Sequence, residues 1–137
     1  MKKRISKFLS MLLVLSCITA TLSTASAIAI EPRYTGFTAL SVSIDITSDG
    51  CSTPYGCVYL RSGYTADMTL VLQRSSNGYS WSSVKEWTGS GSGMFTLDKE
   101  YYVTSGYDYR TKCTVMVYDS SNNLVDNVTK YSGTYSY

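Results

Sequence analysis

The stretch that most constrains this chain is Tyr107 to Tyr118, Y-D-Y-R-T-K-C-T-V-M-V-Y. Counted in twos, Tyr107, Tyr109, Thr111, Cys113, Val115 and Val117 form one set, and Asp108, Arg110, Lys112, Thr114, Met116 and Tyr118 the other. Successive side chains of a strand point to opposite faces, so the first set makes a mostly apolar face and the second a mostly polar one. The pattern predicts a long central strand with one face on a core and one toward water.

The rest of the chain supplies shorter strands around it. Leu40, Val42, Ile44 and Ile46 alternate with Ala39, Ser41, Ser43 and Asp45, and Ser48-Asp49-Gly50 ends that run. A loop with Pro54 leads to a strand near Cys57–Arg61, and Met68, Leu70 and Leu72 face one way on the next. Ser75-Ser76-Asn77-Gly78 is the strongest hairpin signal, because Asn-Gly accepts the positive φ angles of a tight turn. A strand from Ser80 to Thr88 carries Trp81, Val84 and Trp87, and Gly89-Ser90-Gly91-Ser92-Gly93 reads as a flexible loop. Met94–Leu97, the central strand and Leu124–Tyr131 complete seven strands at spacings of about ten residues, the pattern of an antiparallel sandwich. All thirteen tyrosines lie after residue 27, and helix formers are sparse after residue 40. The composition is all-β.

The first 27 residues read differently. M-K-K-R-I-S-K precedes a short apolar run and Ala25-Ser26-Ala27, which is the form of a secretory signal peptide cleaved after Ala27. The alternative is a lipobox at Val14-Leu15-Ser16-Cys17, with the lipid on Cys17. The expected layout is a leader over 1–27, a lead-in over 28–37, a sandwich over 38–132 and a flexible tail over 133–137. Lys2, Lys3, Arg4 and Lys7 leave with the leader, so eight basic residues face ten acidic ones and the net charge is −2. No basic cluster supports nucleic-acid binding, and no stretch after the leader is long and apolar enough for a transmembrane helix. The expected location is extracellular, released or lipid-anchored.

Gly106-Tyr107-Asp108-Tyr109-Arg110-Thr111 is similar to the sixth strand of fibronectin type III domains, where a Tyr after a Gly-containing corner forms the tyrosine corner. Tyr109 is the matching position, which implies a structural role. The antibody version of the corner places Tyr two residues before the second Cys, where this chain has Thr111. P-R-Y-T (32–35), W-S-S-V-K-E-W (81–87), the Gly-Ser run ending at Gly93, Y-Y-V-T-S-G-Y-D-Y-R (101–110) and V-T-K-Y-S (128–132) resemble small secreted proteins of unknown function from Gram-positive bacteria. That resemblance implies an exported immunoglobulin/fibronectin type III-like β-sandwich and no known activity.

Three cysteines remain after the leader. By analogy with an immunoglobulin-like core, Cys57 and Cys113 are the first candidate pair, and Cys113 shares its face with Tyr109 and Val115. Against it, Val58 and Leu60 suit the inward face, which turns Cys57 outward. Cys51–Cys57 would staple the Pro54 loop, and free thiols or an intermolecular bond are the remaining options. No Cys pair has zinc-ligand spacing, and the pattern implies neither metal nor cofactor.

There is no histidine, which removes Ser-His-Asp and Cys-His hydrolases and H-E-x-x-H metalloproteases. Asp98 and Glu100 are the remaining carboxylate pair for a glycosidase, against the plainer reading of a solvated turn. Aromatics are the better lead: Trp81 and Trp87, six apart and so on one face of a regular strand, with Tyr79, Tyr64, Tyr107 and Tyr118 nearby. The expected function is non-catalytic binding of carbohydrate through exposed Tyr and Trp. The alternative is a surface module that pairs with another protein through an edge strand or unpaired cysteine.

Overall fold

A computed structural model describes residues 33–137. The expected leader, Cys17 and the start of the expected lead-in lie outside the described residues. Among the described residues the fold is all-β and antiparallel, with ten strands rather than the expected seven: β1 (Phe37–Ser43), β2 (Cys51–Ser52), β3 (Tyr55–Leu60), β4 (Thr65–Ser75), β5 (Ser82–Ser92), β6 (Met94–Asp98), β7 (Tyr101–Tyr102), β8 (Asp108–Tyr118), β9 (Leu124–Tyr131) and β10 (Tyr135–Ser136). One sheet runs β1-β3-β6. The other runs β5-β4-β8, with β9 and β10 both on the free side of β8, and β2 pairs with β7.

β8 keeps its alternation over its whole length: Tyr109, Thr111, Cys113, Val115 and Val117 are buried and the residues between them half-buried. Its Cys113, Val115 and Val117 join Ala66, Met68 and Leu70 of β4 and meet Phe37, Leu40, Val58 and Leu97 of the three-stranded sheet, so the core has contributors from both sheets. Each fully buried Val, Leu, Phe or Met among them contributes about 1.5–3 kcal/mol relative to exposure. Val42 and Leu60 pack on this cluster, and a second one of Ile46, Leu72 and Tyr109 continues it toward the chain end.

Four features of the folded chain differ from expectation. The glycine-serine run is not a loop: Gly89 to Ser92 are the second half of β5, paired with β4 from Met68 to Thr65. The glycines serve packing. A Cβ on Gly89 would lie 3.0 Å from Phe95 and 3.1 Å from Leu97, and Gly91 sits against the same Phe95 ring. The corner comes one residue later, at Gly93 with φ +65°, which favours glycine.

The tail is not loose. Tyr135 pairs with Tyr109 and Ser136 with Asp108. Tyr137 accepts at its carbonyl from the backbone N–H groups of Gly106 and Tyr107, and its own N–H donates to Tyr107. β9 covers β8 only from Lys112 to Tyr118, and β10 satisfies the edge that β9 leaves bare.

The Asn-Gly hairpin joins β4 to β5 but is not a two-residue turn, since residues 76–81 connect the strands. Gly78 alone takes a positive φ there. Side chains hold the loop: Ser75 Oγ accepts from Gly78 N at 2.9 Å, and Asn77 Oδ1 accepts from Tyr79 N at 2.9 Å and Ser80 N at 2.8 Å.

The cysteines are unpaired: Cys51, Cys57 and Cys113 are all free thiols. Gly56 of β3 faces the core, where a Cβ would lie 3.1 Å from Cys113 Sγ. The next residue, Cys57, therefore points to the opposite face and away from Cys113. Neither expected pair is formed.

A groove at the hairpin end and an aromatic-flanked arginine

The two tryptophans do not share a face. The β4–β5 register steps by one between Leu72 and Gln73: Leu72 faces Lys85 and Gln73 faces Ser83, leaving Val84 as an extra residue. Such a bulge inserts a residue into one strand and changes which side its neighbours point to. Trp87 opposite Leu70 packs on the core, edge-on to Tyr101 at 6.3 Å. Trp81, beyond the bulge, lies against Arg110 on the outer face of β8.

Tyr64 also belongs to packing, on the core cluster and beneath Gly36. Tyr79 stands 91% exposed at the hairpin tip. Tyr118 is half-buried at the far end of β8, its hydroxyl toward the Met116 sulfur. Of the six aromatics the sequence singles out, Trp81 and Tyr107 line a concave surface together with other polar and aromatic groups.

That surface surrounds Tyr107, just before β8. On one side Ser75, Ser76, Gly106, Tyr107, Asp108, Ser136 and Tyr137 enclose about 310 Å³. On the other, Arg74, Ser75, Ser76, Ser80, Trp81, Ser82 and Tyr107 enclose about 300 Å³. Ser75, Ser76 and Tyr107 are common to both, so the two hollows share a wall. Arg74 holds Tyr107 from one side, its guanidinium carbon 4.8 Å from the ring centre, and Tyr109 meets the same ring edge-on at 6.4 Å. Ser136 Oγ donates to Asp108 Oδ1 at 2.6 Å. Tyr109 supports the corner from inside, donating its hydroxyl to Thr104 O at 2.6 Å.

On the outer sheet face, Arg110 Cζ lies 4.1 Å from the Trp81 ring centre and 4.3 Å from that of Tyr131. Its Nε donates to Gln73 Oε1 at 2.9 Å. Trp81 comes from the hairpin loop, Gln73 from β4 and Tyr131 from β9, so three separate segments converge on the β8 guanidinium. Sequence reasoning missed Arg110, Tyr131 and the Tyr137 contribution. Their partners are far apart in the chain, and no local pattern marks them.

Asp98 and Glu100 line an open cleft of about 570 Å³ with Asp45, Ser43, Ile44, Thr53 and Tyr55. All three carboxylates are exposed, and Asp45 Oδ1 is engaged by the N–H of Ile46 at 2.9 Å. Among the described residues no group of three His, Cys, Asp or Glu is placed to hold a metal ion. Burial pushes the Cys113 thiol up to about 11, so it stays protonated near neutral pH and is a poor nucleophile. No helix among the described residues is long and apolar enough to cross a membrane. No family model matches the chain, and no curated protein matches it in sequence.

Proposed function

We propose that this chain is an exported, non-catalytic module that binds carbohydrate in the groove around Tyr107, on a sandwich of the fibronectin type III kind. The long strands in the order β1-β3-β6 and β5-β4-β8-β9 support the architecture, with the Tyr109–Thr104 bond at the corner before β8. The basic, apolar and Ala25-Ser26-Ala27 pattern supports export.

One observation carries the binding reading: Tyr107, Trp81 and Tyr137 line adjoining hollows whose walls also carry Ser76, Ser80, Ser82, Ser136 and Asp108. A sugar ring offers an apolar C–H face and a rim of hydroxyls. Flat amphipathic rings match the first, and short hydroxyl and carboxylate groups match the second. The test is a glycan array with the secreted protein, followed by titrations of Tyr107→Ala and Trp81→Ala. Each variant is expected to weaken binding at least about tenfold, or 1.4 kcal/mol. Unchanged affinity in both would reject the groove as the site.

A second reading, a surface protein-interaction module, has its own observation. Tyr59 and Met94 are register partners on the outer face of the three-stranded sheet and stand 44% and 66% exposed. Sedimentation over a range of concentrations checks it: self-association that Tyr59→Ser abolishes would move this reading ahead.

A further inference from the structure

We propose that Arg110 binds a carboxylate of the glycan ligand, which makes that ligand an acidic polysaccharide of the uronic-acid type. This rests on the carbohydrate reading of the Tyr107 groove and adds the ligand's charge and the residue that reads it.

A guanidinium carries five N–H donors in a rigid fork. In Arg110, Nε is bonded to Gln73, and the four N–H groups on the two Nη atoms have no hydrogen-bond partner among the described residues. Nor does Arg110 form an ion pair among them. Asp108, two residues back on the same face, is engaged by Ser136. Glu86 is separated from Lys112 by Val71, which pairs with both. The cation is therefore held in place without an acid to neutralise it.

The way it is held shapes what it accepts. Trp81 and Tyr131 cover the guanidinium from two sides, and Gln73 takes one edge, which leaves the fork edge for a partner. A flat carboxylate fits such a fork with two parallel hydrogen bonds. Fixing the side chain beforehand removes most of the ordering cost of binding. Lys112, two residues on and on the same face, adds a second positive charge next to Tyr131, its register partner.

The sugar component follows from Trp81, which lines the Tyr107 groove and also covers Arg110. A polysaccharide in the groove continues over Trp81 and brings a ring substituent to the fork. Tyr131, 46% exposed, offers a further flat surface beside it.

The experiment measures binding of the mature secreted protein to three polymers: polygalacturonate, its fully methyl-esterified form and polyglutamate. The proposal expects polygalacturonate to bind at least about tenfold tighter than the other two, with affinity falling as salt rises. Arg110→Gln and Arg110→Lys should both reduce it to the level of the ester, because an ammonium is a point charge without the fork. Lys112→Gln should give a smaller loss of about two- to fivefold, and it guards against a misfolded Arg110 variant, which a melting curve would reveal. Equal binding of acid and ester overturns the proposal and leaves the carbohydrate reading standing. Equal binding of polyglutamate and polygalacturonate keeps the carboxylate site and rejects the sugar. Binding to none of the three overturns both.

Discussion

On the inner face of β8 every residue from Tyr109 to Val117 is out of water, whereas on the outer face Asp108 to Tyr118 are each half-buried. The inner residues are held by the area they hide, which depends on being apolar and of the right size. The outer ones are held by particular partners: Gln73, Trp81 and Tyr131 around Arg110, Ser136 on Asp108, and Thr129 against Thr114 at 2.9 Å. Substitutions should therefore separate the faces, with stability following the inner face and binding the outer one.

The largest stability effect is expected from Leu70→Ala, which empties a site with no exposed surface. Its cost is about 2–5 kcal/mol, against about 0.2–1 kcal/mol for Thr114→Ala, which loses the Thr114–Thr129 pair on the outer face. Urea unfolding of the two variants checks the contrast, and similar costs would break it. Tyr109→Phe removes the hydroxyl bonded to Thr104 O and should cost about 1–3 kcal/mol. A melting curve at the wild-type value would show that the corner does not depend on it. One substitution on the inner face has the opposite sign. Thr111 Oγ1 is buried with no hydrogen-bond partner among the described residues, so Thr111→Val, nearly the same shape, should stabilise by about 1 kcal/mol. A loss of stability there would mean that the hydroxyl has a partner, such as buried water.

The inner face was also the legible one. β8 is readable from its residues because an unbroken period of two leaves little choice of register. Where the period breaks, reading fails for stated reasons. Val84 is one extra residue, and it sends Trp81 to the opposite side from Trp87. Gly89 and Gly91 look like a linker because their role, making room for Phe95, is visible only once β6 is in place. The last five residues look like a fraying end because nothing in them shows that β9 stops short of Asp108. Cys57 was half-legible: Val58 and Leu60 already claimed the inner face, and analogy with an immunoglobulin-like core pulled the other way. The Tyr107 groove and the Arg110 fork are products of tertiary structure, assembled from β4, β5, β8, β9, β10 and the hairpin, and no single stretch announces them.

The measurement that tests the account most directly is a pair of fluorescence titrations with the acidic glycan, using Trp87→Phe, which keeps Trp81, and Trp81→Phe, which keeps Trp87. The account predicts a saturable change in emission from the protein that retains Trp81, with affinity close to wild type. It predicts a silent Trp87 and weakened binding in the other. A response confined to Trp87, or none from either indole at saturating glycan, would contradict it and return the Trp81–Arg110–Tyr131 cluster to the role of sheet packing.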